Sequence, residues 1–241
     1  MKKILLLLIL VISLIFTERN EPTDLPNDAA VPDKAIASSN DKTIKTSKPL
    51  AAKKKPVIAL VNRSNRLDKN FVPAHLVIPN VKFTTYASAE VKKMDSEAAL
   101  ALESLFRAAK ADAITLLAVS GYRNYKYQNM LYRNQVTAVG KKEADKYVAQ
   151  PGASEHQTGL AMDVLSNEYS SLDEGFANTK AYKWLVENCY EYGFIIRYPK
   201  GKESITGYNY EPWHLRYVGI SAATKITQKR LTLEEYLGIF A

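Results

Sequence analysis

The sequence predicts an α+β domain. Segments of helical spacing and short β-rich runs are mixed along the chain. No regular strand–helix–strand rhythm connects them. Gly and Pro punctuate their ends. The expected architecture is one compact domain over residues 56–241, with a small central antiparallel sheet flanked by helices.

In chain order, Val57 to Val61 reads as a strand. Ser96 to Lys110 carries Ala98, Leu102, Leu105, Phe106 and Ala109 at helical spacing, and Asp95 before it is a suitable N-cap. Ile114 to Val119 is β-rich. Tyr125 to Asn134 and Lys141 to Val148 read as helices. A Pro151-Gly152 turn leads to a strand over Gly159 to Val164. Thr179 to Tyr192 reads as a helix closed by Gly193 at the C-cap. Phe194 to Tyr198 is a strand stopped by Pro199, and Tyr210 to Tyr217 a further strand. Ser221 to Thr227 and Thr232 to Leu237 read as terminal helices.

Two segments precede this domain. Lys2 and Lys3 are followed by an apolar run, Ile4 to Phe16, broken only by Ser13. As a helix the run spans about 20 Å, short of the roughly 30 Å of a hydrocarbon core. Residues 1–17 therefore read as an export signal, cleaved or retained as an anchor, which places the domain outside the cytoplasm. Residues 18–55 lack hydrophobic period and read as a disordered linker. Its end carries Lys42, Lys45, Lys48, Lys53, Lys54 and Lys55 with no acid between them. It is a solvated spacer or a weak attractor of anionic wall polymers.

The 241 residues are ample for one buried core, with 46% hydrophobic and 24% charged residues. The net charge of +8 favours anionic partners. Export and the lack of a basic-aromatic docking motif argue against nucleic acid. Cys189 is the only cysteine, which excludes an intrachain disulfide and a thiolate metal cluster. Inside a predicted helix it reads as a small buried hydrophobe. Nothing in the chain demands more than a monomer.

The chemistry concentrates around two of the three histidines. His156 and Asp163 flank Gly159 in Ser154-Glu155-His156-Gln157-Thr158-Gly159-Leu160-Ala161-Met162-Asp163. On one straight strand their odd separation would point them to opposite faces, so convergence needs a bend at Gly159. The second cluster is Glu211-Pro212-Trp213-His214, where a local kink is needed to turn Glu211 and His214 into one cavity. Two imidazoles and one carboxylate form a ligand set for catalytic zinc with room for water. A nearby carboxylate, Glu211, suits a general base. On spacing alone, metal binding and ordinary satisfied histidines both stay open. His75, within Pro73-Ala74-His75-Leu76-Val77, reads as structural.

At these residues the chain resembles the VanY-type D-alanyl-D-alanine carboxypeptidase family of zinc peptidases. Its signature, S-x-H-x-x-G-x-A-x-D followed by E-x-W-H, is intact. Ser120-Gly121-Tyr122-Arg123 with Gln128, the stretch Tyr192 to Pro199, and Gly201-Lys202-Glu203 before Thr206-Gly207-Tyr208 extend the likeness over roughly residues 57 to 220. The resemblance implies one Zn2+ per domain held by His156, Asp163 and His214, with Glu211 as base. It implies that Arg123 grips a terminal carboxylate and that Gln128 and Ser154 make secondary substrate contacts. Trp213 walls the pocket or fills the core; Arg216 supports the site or forms a structural ion pair.

The implied reaction removes the C-terminal D-alanine of peptidoglycan stem peptides. The alternatives are an L,D-carboxypeptidase acting on tetrapeptide stems and a non-catalytic wall-binding module. Glu211 argues against the last, since a binder has no use for a base.

Overall fold

A computed structural model describes residues 58–239. The leader expected over 1–17 and the linker over 18–55 lie outside the described residues. The mixed architecture with a small antiparallel sheet is as expected. β1 (Leu76–Val77) and β2 (Met94–Asp95) pair as a minimal two-stranded ladder. The central sheet comprises β3 (Leu116–Ser120), β4 (Ala161–Ser166), β5 (Phe194–Tyr198) and β6 (Glu211–Tyr217), in the order β3-β4-β6-β5. Every neighbouring pair is antiparallel.

Helix α1 (Ser96–Ala111) starts where Asp95 accepts a hydrogen bond from the Glu97 N–H, and it buries Ala98, Ala99, Leu102, Leu105 and Ala109. That stripe joins Met94, Met162, Val164, Phe176, Phe194 and Leu215 in the main core. α2 (Tyr125–Val139), capped by the Asn124 side chain, and α3 (Lys141–Tyr147) form a helical pair joined at Gly140. α4 (Lys180–Asn188) follows the Thr179 cap. α5 (Glu203–Thr206), α6 (Ile220–Lys229) and α7 (Leu233–Leu237) follow, the last opened by a Thr232–Glu235 capping box. Among the described residues no helix is long and apolar enough to cross a membrane.

Two expectations need correction. Residues 58–61 are not a strand: Leu60 packs in a second core with Ile195, Val218, Ala223 and Leu233, and the Ala59 carbonyl serves Arg216 rather than a sheet neighbour. The helix expected over Thr179 to Tyr192 tightens after Asn188 into a 3-10 turn, Cys189–Tyr192, ended by left-handed Gly193. Residues 155–158 form another 3-10 turn just before β4. Cys189 is buried and its thiol faces the Phe194 carbonyl; burial pushes its pKa up to about 12, consistent with an inert hydrophobe.

Leu102 is fully buried in the main core. Leu102→Ala is expected to cost about 2–5 kcal/mol of unfolding free energy, measured by urea denaturation of the purified protein.

Candidate functional site

The two faces of the sheet divide its labour. Met162 and Val164 of β4, with Trp213, Leu215 and Tyr217 of β6, belong to the main core. Alternation sends Asp163 and His214 to the opposite face. Asp163 and His214 are direct partners in the β4–β6 register, so their side chains stand together. His214 Nδ1 lies 3.4 Å from Asp163 Oδ1.

His156 arrives from the 3-10 turn. Gly159 ends that turn with φ 73°, and the chain then enters β4. A Cβ at Gly159 would meet the Asp95 nitrogen at 2.9 Å, so both the backbone angle and the space require glycine. This is the bend expected from the odd spacing, achieved by placing His156 outside the strand. The His156 Nδ1–H donates to the Gly121 carbonyl at 2.7 Å, leaving Nε2 as the free lone pair. Gly121 is itself constrained: a Cβ there would lie 2.4 Å from the Lys93 carbonyl oxygen. His156 Nε2 lies 3.5 Å from Asp163 Oδ1.

Glu211 reaches the same point through a bulge. In an uninterrupted strand it would share the core face with Trp213 and Leu215. Instead Arg197 alone on β5 is opposed by Pro212, Trp213 and His214 on β6. Pro212, with no N–H for a ladder, falls within this interruption. Glu211 Oε2 comes to 3.4 Å from His214 Nδ1. This supplies the kink that the spacing required.

One ligand atom from each of His156, Asp163 and His214 can be chosen so that all lie within 4.8 Å of one another, and all three residues are buried. His156 Nε2 and Asp163 Oδ1 have no hydrogen-bond partner among the described residues. Buried polar atoms are rarely left unmatched, and these converge on one point. Two imidazole nitrogens and a carboxylate oxygen fit Zn2+.

The electrostatics suit a cation. Burial, then Arg123, pulls the His156 imidazole down to about 4, so it is a neutral donor. Burial would raise Asp163, but His156, His214 and Arg123 hold it at about 2. Burial would lower His214, yet Glu155 and Glu211 outweigh it and hold a proton there up to about 9. A divalent cation would compete with that proton. Burial raises the Glu211 carboxyl, a direction that suits a group exchanging protons near neutrality.

The other expected residues are also brought together. Arg123 Nη1 lies 3.8 Å from Asp163 Oδ2, and its buried Nε has no hydrogen-bond partner among the described residues. Arg123 and Gln128 line one cleft with Asp163, Glu211, Trp213 and His214. Gln128 donates to the Ala149 carbonyl at 2.8 Å and keeps Oε1 without a partner among the described residues. Ser154 makes no side-chain cap bond and lines an adjoining recess with His156 and Glu211. Trp213 both packs in the core and walls the cleft. His75 is exposed, and its carbonyl accepts from the Ser96 N–H away from this group.

Glu155 was not singled out by the spacing. It is buried against Arg197 and Arg216, 3.7 Å from His214 Nε2. The available signal was Arg197, a cation inside the apolar run Phe194-Ile195-Ile196-Arg197-Tyr198, which demands a buried acid somewhere in the fold.

Sheet, bulge and donor group together define an α+β domain of the zinc-peptidase class. Comparison with known proteins narrows this. Residues 91–220 match the model of VanY, D-alanyl-D-alanine carboxypeptidase, and the chain belongs to that family. It is 50% identical over 181 residues to the Bacillus subtilis protein YodJ, covering 75% of this chain and 66%, just under two thirds, of that one. It is 37% identical over 206 residues to a D-alanyl-D-alanine carboxypeptidase of Enterococcus faecalis, covering 82% of this chain and 71% of the relative. Among solved structures, the LD-carboxypeptidase LdcB is similar with TM-score 0.72 and 49% identity, over 77% of this chain and 87% of that one. A vancomycin-resistance D,D-pentapeptidase VanY in complex with Zn(II) is similar with TM-score 0.62 and 38% identity, over 75% and 98%.

His156→Ala is expected to abolish stoichiometric zinc, and Asp163→Asn to weaken its retention, while circular dichroism stays native. Elemental analysis after dialysis checks both.

Proposed function

We propose that this chain is a zinc-dependent carboxypeptidase that removes the C-terminal D-alanine from peptidoglycan stem peptides. The observation that carries the reading is the convergence of His156, Asp163 and His214, with Glu211 at 3.4 Å from His214 and Arg123 across the same cleft. The family and the Zn(II) complex of a relative support it. His156 Nε2, an Asp163 carboxylate oxygen and His214 Nδ1 would hold a single zinc ion. Bound there, zinc polarises a carbonyl and brings the pKa of water to about 7.

The chain's own residues supply the rest. The Arg123 guanidinium, with unused donors, offers a fork to the free carboxylate of the terminal D-alanine. That contact selects for a chain end, because an internal peptide bond presents no carboxylate there. Gln128 and Ser154 border the cleft and orient the bound residue. Glu211 accepts a proton from the attacking water. As the scissile C–N bond breaks, it returns the proton to the leaving nitrogen, and D-alanine departs as the free amino acid.

A second reading is removal of D-alanine from a tetrapeptide stem. The higher TM-score and identity to the LD-carboxypeptidase LdcB favour it. Both reactions use the same groups and differ in the residue preceding the scissile bond. Incubation with pentapeptide and tetrapeptide stems, with and without a chelator, followed by mass analysis, separates them. Loss of D-alanine from neither stem in zinc-loaded protein defeats both readings. The Lys2-Lys3 pair and the apolar run after it support an exported enzyme, with the basic stretch at 42–55 a weak contact to anionic wall polymers.

Glu211→Gln is expected to retain zinc but lose at least about a hundredfold in kcat. Full turnover in that variant removes Glu211 from the base role. Arg123→Ala is expected to raise KM for free-carboxylate stems and to erase the preference over amidated ones. An unchanged preference rejects the carboxylate clamp.

A further inference from the structure

A buried ionic network stands behind His214. Glu155, Arg197, Arg216 and Glu234 are each no more than 2% exposed. Arg197 Nε and Arg216 Nη1 both donate to Glu155 Oε1, each at 2.7 Å. Two donors on one oxygen pin the carboxylate and aim Oε2 elsewhere. Oε2 lies 3.7 Å from His214 Nε2, and neither atom has a hydrogen-bond partner among the described residues. The other nitrogens of Arg197 go to Glu234: Nη1 donates to Oε2 at 3.0 Å and Nη2 to Oε1 at 2.6 Å. Glu234 sits on α7, beyond the residues 91–220 that match the family.

The arrangement has a directional consequence. An imidazole presents one N–H and one lone pair when neutral. A carboxylate facing Nε2 favours the proton there, which leaves the Nδ1 lone pair toward Asp163 and Glu211. Glu155 holds this aim only while both guanidinium groups hold its other oxygen. Arg197 in turn is a buried cation with its fork on Glu234, and an unpaired buried charge is strongly unfavourable. Loss of Glu234 would free Arg197 to shift and release Glu155.

We propose that Glu155 is the positioning residue that sets the tautomer and aim of His214, and that α7 sustains it through Glu234 and Arg197. This inference rests on the zinc reading above. It makes the C-terminal helix part of the metal site without touching the metal.

The test measures zinc affinity by competition with a chromophoric chelator, on variants that circular dichroism shows to be folded. Glu155→Ala is expected to weaken zinc binding about 10- to 100-fold, and Glu155→Gln to weaken it as well, because its single oxygen stays with Arg197 and Arg216 and its NH2 then faces His214 Nε2. In 15N-edited spectra of the zinc-loaded protein, the His214 Nε2–H resonance is expected to move upfield and exchange faster in Glu155→Ala. A purely structural role would leave that resonance in place. Glu234→Gln is expected to weaken zinc binding, whereas Glu235→Gln, on the same helix and paired with Lys202, is not.

Wild-type affinity and an unmoved Nε2–H signal in folded Glu155→Ala overturn the positioning role. If Glu155→Ala does not fold, the same two readings on Glu155→Gln decide it. Equal zinc affinity in Glu234→Gln and Glu235→Gln overturns the part given to α7. A wild-type chain that binds no zinc defeats the metal reading itself, and the wild-type titration shows that first.

Discussion

Asp163 on β4 and His214 on β6 face each other across an antiparallel ladder, and the chemistry of the molecule is arranged around that pairing. Strand alternation makes the constraint severe. A slip of one residue would turn either side chain into the apolar core and bring a core residue to the site. The register is held by the residues on the other face. Met162 and Leu215 are partners one step along the same ladder, and both are fully buried. The hydrophobic core therefore decides which residues meet on the polar face, although it touches none of their charges.

Around that pairing the fold departs from regularity where it must bring in groups that alternation would send elsewhere. Gly159 bends the chain so that His156 enters from outside the strand. The interruption opposite Arg197 brings Glu211 round from the core face. A single extra residue, Val119, shifts the β3–β4 register beside Asp163. Such bulges cost ladder hydrogen bonds, and they cluster here because three elements must aim at one point.

The site also concentrates charge where burial is unfavourable. Glu155 shows how this is tolerated: burial alone would raise its carboxyl, but Arg197 and Arg216 hold it well below the ordinary carboxylate range. Two acids balance two guanidinium groups, with Ala59 taking a further Arg216 donor. The polar layer is thus closed from behind by ion pairs, while its front opens on the cleft lined by Arg123 and Gln128. The Arg123 guanidinium faces the open side, where a substrate can enter.

Much of this was legible in the chain. Local signals were reliable where the backbone itself imposes them: the Asp95 cap, the Gly193 stop, the run that became β6, and the need for a bend at Gly159. They failed where a segment's state depends on a distant partner. Leu60 and Val61 have strand-like character but find a core and an Arg216 side chain rather than a sheet edge. Leu76–Val77 is too short to announce itself and exists because Met94–Asp95 lies beside it. Glu155 looked like any polar neighbour of a histidine, since its partners sit 42, 61 and 59 residues away at Arg197, Arg216 and His214. By itself the sequence determined the donor types, their order, and the glycine and proline that permit the turns, because these are properties of single residues and their immediate neighbours. Only the tertiary structure decided that the two clusters share one face and that a C-terminal acid stands behind a metal-ligand candidate, because strand register and the pairing of buried charges are settled by contacts between segments far apart in the chain.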